Sequence, residues 1–77
     1  SNTEWLAIIF CIAFVTATEM INTAIEKLCD LVQKDFHPGI KKVKDIAAGA
    51  VLLAAVCSFV IAVIIFLPKI IALLKSL

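Results

Sequence analysis

Two long apolar stretches, separated by a charged segment, account for most of the chain. The second stretch, residues 46–67, contains no charged side chain. As an α-helix it would be about 33 Å long, enough to cross the roughly 30 Å hydrocarbon core of a bilayer. The first stretch is uncharged only from Trp5 to Thr18, which would make about 21 Å of helix. To cross, this helix must continue through Glu19 to about Ile25, which places Glu19 at or just inside the membrane surface.

The helix boundaries follow from glycine and proline. No Gly or Pro occurs between Trp5 and Val32, so one continuous first helix is expected. His37-Pro38-Gly39 is typical of a type II turn, with Pro and Gly at its two central positions. Pro68 and Lys69 are expected to end the second span at an interface, and the residues beyond them form either a frayed end of the helix or a short segment that lies in the interface. The predicted elements are a helix over about residues 3–35, a turn at 36–39, a helix over about 41–67 and a short interfacial tail at 68–77.

These elements predict an all-α membrane protein built on an antiparallel transmembrane helical hairpin. The composition agrees, since 64% of the residues are hydrophobic and 17% charged, against about 45–50% and 25% in soluble domains. Because two helices bury little surface, we expect an oligomer or further helices. The positive-inside rule places the connection in the cytoplasm. Five lysines lie in or beside it: Lys27, Lys34, Lys41, Lys42 and Lys44.

Charge and cysteine content exclude several function classes. The net charge is +1 and the chain has no arginine, so a basic face for nucleic acid is not expected. The spacing of Cys11, Cys29 and Cys57 matches no zinc or redox motif. Their odd number also excludes a closed disulfide framework.

A polar strip runs along the first helix. Glu19, Asn22, Glu26 and Asp30 are spaced by three, four and four residues, which places them on one face. This face is either a solvated surface beyond the membrane or a cation site. Mg²⁺ typically takes one or two carboxylates and completes its shell with water and phosphate oxygens. A carboxylate at the depth of Glu19 is costly unless it is paired, and it could take a proton from a lipid hydroxyl.

Lys44-Asp45 faces this strip across the connection. It is either a membrane-surface lysine with a helix-capping aspartate or a lysine that neutralises phosphate charge. His37 taken alone is a turn residue. The P-loop, the Gly-rich kinase loop and the HRD motif are all absent from the sequence. Nucleotide binding would therefore use none of the common soluble folds.

Four short segments together carry a family resemblance: residues 19–26 (E-M-I-N-T-A-I-E), Asp30, Phe36-His37 and residues 44–51 (K-D-I-A-A-G-A-V). In this combination the chain resembles the bacterial diacylglycerol kinase/undecaprenol kinase family, which consists of small integral-membrane lipid kinases. The resemblance implies ATP- and Mg²⁺-dependent phosphorylation of a membrane lipid alcohol, undecaprenol or diacylglycerol. Residues 44–51 look more like the branch that prefers undecaprenol.

The resemblance also implies roles for individual residues. Glu19 matches the catalytic base, and Glu26 matches a ligand of the magnesium that accompanies ATP. Asn22 matches a residue that orients substrate or metal, and Ala48 falls where the lipid substrate is held. Asp30 fits the family pattern without an implied role. The positions that match nucleotide contacts are Asp35, Phe36, His37, Lys44 and Asp45.

Members of this family have a surface helix and three membrane spans, and they assemble as homotrimers whose active sites are shared between subunits. They lie in the bacterial inner membrane with the active site on the cytoplasmic side. The chain corresponds to the second and third spans only. We therefore expect an incomplete site that lacks another metal-binding glutamate and part of the lipid pocket, and an inactive fragment if these residues stand alone.

Two other function classes remain as alternatives. An ion-translocating ring subunit would match the two-span topology, but its second helix should carry a carboxylate, and residues 46–67 have none. A structural or regulatory membrane hairpin would not need the polar strip of the first helix. Magnesium-dependent nucleotide binding separates a kinase from both.

Overall fold

Two α-helices, packed side by side, form the hairpin that the sequence predicts. The computed structural model describes residues 1–33, 35 and 37–77. Helix α1 spans Asn2–Val32 and helix α2 spans Pro38–Ser76. The two helices contact each other, and the molecule is elongated, measuring 59 × 20 × 15 Å.

Side-chain contacts at both ends show that the helices run antiparallel. Near the connection, Asp30 of α1 pairs with Lys44 of α2. At the opposite end, Glu4 of α1 pairs with Lys69 of α2. Between these ends lies a narrow packed seam. The buried residues of the described chain are Cys29, Ala54 and Ile65.

Helix α1 ends three residues earlier than the expected residue 35. Gln33 leaves the helix in an extended conformation (φ −144°, ψ 108°), and its N–H donates to the Cys29 carbonyl at 2.9 Å. His37 is also extended (φ −141°, ψ 124°), as expected for a residue that precedes proline. The steric effect of Pro38 thus keeps His37 outside the helix.

The predicted type II turn at Pro38 and Gly39 is wrong. That turn needs a positive φ at Gly39, and no described glycine has one. Instead, Pro38 takes the first position of α2, where its missing N–H leaves no bond unmade and its fixed φ suits a helix. The His37 ring caps this end, because its Nδ1 accepts the N–H of Gly39 at 3.1 Å. Helix α2 therefore begins at Pro38 and not at about residue 41, and the expected Phe36 part of the turn lies outside the described residues.

The second helix does not end at Pro68, and of the two expectations for the residues beyond it, continuation of the helix is the one that the structure shows. Helix α2 passes through Pro68 and continues to Ser76, so residues 68–76 are helical. The position of this segment in a membrane interface stays a prediction. Pro68 has no N–H to donate to the Ile64 carbonyl, which removes one hydrogen bond from the helix. Helices in membranes tolerate such a loss because neighbouring groups and local adjustments compensate for it. Lys75 in the last turn adds a favourable interaction with the helix dipole.

Most of the large apolar side chains lie on the outside of the hairpin. Trp5, Leu6 and Phe59, for example, are 65–69% exposed. Both helices are long and apolar enough to cross a membrane, with mean hydropathies of 1.8 and 3.1 in their best windows. Water would leave this surface unfavourably solvated, whereas hydrocarbon would not. The architecture is therefore all-helical and compatible with a membrane hairpin.

Candidate active site

The middle of the polar strip on α1 is joined by a hydrogen bond. Asn22 Nδ2 donates to Glu26 Oε1 at 3.3 Å, one helical turn further along. The two side chains therefore lie on the same face, as their spacing predicts. Within the part of the chain that the structure describes, the second carboxylate oxygen of Glu26 has no protein donor and remains open to a cation.

The carbonyl oxygen of the Asn22 side chain has no such partner. Oδ1 is shielded from solvent, and none of the described groups donates a hydrogen bond to it. Asn22 borders an open groove of about 480 Å³ between the helices, lined otherwise by apolar side chains and Thr18. Leaving a shielded acceptor unpaired is unfavourable. The α2 residues of the groove are Val43, Ile46, Ala47 and Ala50.

Glu19 lies on the outer surface of α1. It borders a shallow depression with Thr16, Met20 and Thr23, and Thr23 Oγ1 donates to the Glu19 backbone carbonyl at 3.0 Å. Over residues 1–33, 35 and 37–77, the structure shows no hydrogen-bond or salt-bridge partner for the Glu19 carboxylate. This carboxylate is therefore accessible to a molecule that approaches from outside the hairpin.

Ala48 is exposed on α2. Its neighbour Ala47 is the residue that lines the interhelical groove beside Asn22. If Ala48 contacts a lipid, it does so from the outer surface of the hairpin and not from this groove.

Two ion pairs organise the charged end of the hairpin. Lys44 Nζ lies 2.7 Å from Asp30 Oδ1 and joins α2 to α1. Lys41 Nζ lies 2.7 Å from Asp45 Oδ2, within α2. Lys44 precedes the uncharged span that starts at residue 46, and its hydrogen bond with Asp30 raises the pKa of its ammonium group above the usual value. Lys44 is therefore held as a cation.

These groups surround a polar depression of about 310 Å³ beside the connection. It contains three of the residues that are predicted to bind nucleotide, Asp35, His37 and Lys44. Asp45 lies beside it, bound to Lys41. Phe36, a further predicted nucleotide position, lies outside the described residues. The depression is lined by Asp30, Gln33, Asp35, His37, Ile40, Lys41 and Lys44.

Reasoning from sequence did not foresee two contacts at this end, Lys41 with Asp45 and Asp30 with Lys44. Lys41 stands four residues before Asp45, a spacing that pairs charges on a helix and could have indicated the contact. The Asp30–Lys44 pair joins different helices. No spacing within either helix could have revealed it.

The described side chains do not form a complete metal site by themselves. Among the described residues, no group of three or more His, Cys, Asp or Glu side chains converges on one point. The strip instead offers Glu26, with an open oxygen, and the amide of Asn22 beside it. This arrangement suits Mg²⁺, which is usually bound through one or two carboxylates and completed by water and phosphate oxygens.

Comparisons with known proteins identify the family to which the chain is similar. Residues 1–66 match the family model described as prokaryotic diacylglycerol kinase. An undecaprenol kinase from Bacillus subtilis (strain 168) is 47% identical over 66 residues, which are 86% of this chain and 54% of that protein. A diacylglycerol kinase from Synechocystis is 39% identical over 70 residues, 90% of this chain and 39% of that protein. A diacylglycerol kinase from Helicobacter pylori (strain 26695) is 38% identical over 53 residues, 69% of this chain and 41% of that protein.

The chain thus spans about half, or less, of the length of these relatives. No solved structure matches it.

Proposed function

Because the chain belongs to the prokaryotic diacylglycerol kinase family, we propose that its protein is an ATP- and Mg²⁺-dependent lipid kinase. The enzyme transfers the γ-phosphoryl group of ATP to the hydroxyl of a membrane lipid alcohol. The observation that carries this proposal is the arrangement at one end of the hairpin. There the Asn22–Glu26 pair on α1 continues towards a depression that contains Lys44 and His37.

The acceptor is undecaprenol or diacylglycerol, after the names of the relatives. The higher identity to the undecaprenol kinase, 47% against 39% and 38%, favours undecaprenol. The lysines beside the connection support a cytoplasmic position for this end of the hairpin in the bacterial inner membrane. ATP is available on that side.

The protein is proposed to work as a homotrimer with active sites shared between subunits. Two observations support this. The hairpin leaves most of its apolar surface uncovered, and among the described residues no three ligand side chains converge to hold a metal ion. The remaining ligands and part of the lipid pocket then come from other segments or from a neighbouring subunit.

In the proposed reaction, Glu19 acts as the general base. Its carboxylate accepts the proton of the lipid hydroxyl as that oxygen forms a bond to the γ-phosphorus. The bond from the γ-phosphorus to the β,γ-bridging oxygen breaks, and ADP leaves with the electron pair. The exposed position of Glu19, with no partner among the described residues, suits a base that must meet a lipid at the membrane surface.

The other side chains bind and orient the reactants. Glu26 would hold Mg²⁺, which would supply charge to neutralise the phosphates, and Asn22 fixes the orientation of the Glu26 carboxylate. Ala48 contacts the lipid from the outer surface of α2. Binding of the nucleotide is assigned to Asp35, Phe36, His37, Lys44 and Asp45.

The test is phosphoryl transfer by the full-length protein in membranes or detergent. It is supplied with Mg²⁺, ATP labelled at the γ-phosphate, and either undecaprenol or diacylglycerol. The proposal expects label in the lipid-extractable product with at least one lipid, and none when Mg²⁺ is chelated. If neither lipid is labelled although the protein is folded, the proposal is wrong.

A further inference from the structure

Asp30 has no part in the reaction proposed above, although it makes the contact that joins the helices at the active end. We propose that Asp30 is a positioning residue, which holds the Lys44 ammonium at the edge of the depression where the phosphate groups of ATP bind. This inference rests on the proposed kinase function. It assigns to Asp30 a role in the binding of nucleotide.

The geometry of the pair supports this role. Lys44 Nζ and Asp30 Oδ1 are 2.7 Å apart, a short charge-assisted hydrogen bond. Both side chains also line the depression beside the connection. A lysine ammonium has three N–H donors, so the bond to Asp30 leaves two for phosphate oxygens. Asp30 and a phosphate group can therefore be bound by Lys44 at the same time.

Holding Lys44 in place has an energetic consequence for binding. A free lysine side chain loses much rotamer freedom when it is immobilised. If Asp30 fixes the side chain before ATP arrives, binding no longer has to overcome this loss. Removal of Asp30 should therefore weaken the binding of ATP more than it slows the chemical step.

The neighbouring lysine of the depression does not duplicate this arrangement. Lys41 is bound to Asp45, one turn away on the same helix. Lys44 is bound across the interface, and its side chain is the less exposed of the two, at 37% against 61%. Among the described residues, Asp30 is the carboxylate that fixes Lys44 relative to α1 and hence to Glu26.

The alternative is that the pair merely joins the helices. The hairpin offers a matched control, since Glu4 and Lys69 form an exposed carboxylate–lysine pair at its other end. A contact that only joins helices should behave alike at both ends. A positioning contact should alter nucleotide binding at one end alone.

The experiment measures kcat and the KM for MgATP in the full-length protein. Asp30→Asn is expected to raise this KM by roughly five-fold, the order of effect expected when binding must immobilise one long side chain, with a smaller change in kcat. Asp30→Glu, which keeps the charge, should restore a KM near that of the wild type. Glu4→Gln should leave both constants unchanged.

A double-mutant cycle tests whether Asp30 acts through Lys44. In a Lys44→Gln background, Asp30→Asn should raise the KM no further, because the bond is already lost. Additive effects would show that Asp30 acts independently, and an unchanged KM in Asp30→Asn would overturn the inference directly. Asp30→Ser is measured in parallel with Asp30→Asn. If Asp30→Ser and Asp30→Asn both fail to fold, Asp30 has a purely structural role and the inference is wrong.

The two proposals fail in different ways. An active wild-type kinase with an unaltered KM in the Asp30 variants contradicts only the positioning role. A folded wild-type protein that phosphorylates neither lipid contradicts the proposed function, and the positioning role with it.

Discussion

Lys69 Nζ lies 3.0 and 3.1 Å from the two carboxylate oxygens of Glu4. This ion pair closes the end of the hairpin opposite the candidate active site. The uncharged span of α2 separates it from the Asp30–Lys44 pair. The two pairs together fix the alignment of α1 against α2 at both ends.

Loss of the Glu4–Lys69 pair should affect stability and not catalysis. Glu4→Gln is expected to lower the melting temperature slightly, because exposed ion pairs contribute little to stability. The transfer rate should stay near that of the wild type, because the pair lies at the end of the hairpin opposite the candidate active site. The charge-reversed protein, with Glu4→Lys and Lys69→Glu, should recover the melting temperature. Thermal unfolding in detergent and the lipid kinase assay measure the two effects. A strong loss of activity in Glu4→Gln would contradict the separation of the two ends.

The helical segment after Pro68 can be tested by NMR. Residues 70–76 should show the ¹³Cα shifts of a helix, since α2 continues to Ser76. Pro68→Ala should slow amide exchange around position 68, because it restores an N–H that can donate to the Ile64 carbonyl. Coil-like shifts over residues 70–76 would contradict the continuous helix.

Close packing of the helices depends on a small side chain at position 54. Ala54 is 2% exposed where α2 meets α1. Ala54→Leu should therefore cost about 1–3 kcal/mol through overpacking. Ala72→Leu, at an exposed position of α2, is the matched control and should have little effect. Equal unfolding free energies for the two variants would show that the helices do not meet at Ala54.

Substitution of Glu26 should change the magnesium requirement. Glu26→Gln is expected to raise the half-saturating Mg²⁺ concentration by at least about ten-fold, since even loss of a group that supports a metal ligand costs this much. Titration of the transfer rate with Mg²⁺ gives the value, with Glu4→Gln as the matched carboxylate-to-amide control. An unchanged Mg²⁺ dependence in Glu26→Gln would remove it from the set of ligands.

The sequence predicted the two helices well and their ends less well. A run such as residues 46–67 indicates a span directly, because its length and lack of charge suit a bilayer. The segment His37-Pro38-Gly39 is ambiguous, since proline favours both the start of a turn and the first position of a helix. Pro68 was expected to end the helix, as proline often does in soluble proteins. In a membrane, neighbouring groups and local adjustments can satisfy the freed backbone carbonyl, so a helix can continue through proline.

The contacts of the candidate site could be predicted within one helix but not between the two helices. The Asn22–Glu26 bond follows from spacing within one helix, which is fixed by 3.6 residues per turn. The Asp30–Lys44 bond depends on how far α1 is shifted along α2. The packing of both helices determines that shift, so neither segment alone could predict the contact. The roles of these residues in catalysis remain predictions.

The central claim is that this protein phosphorylates a lipid alcohol with Glu19 as the base. The most direct measurement compares the initial rate of γ-phosphoryl transfer to undecaprenol and to diacylglycerol in the wild type, Glu19→Gln and Glu4→Gln. A positioned base contributes on the order of 10²–10⁴-fold, so Glu19→Gln should lose nearly all transfer while remaining folded, and Glu4→Gln should keep the wild-type rate. A Glu19→Gln variant that transfers phosphate at close to the wild-type rate would contradict the account.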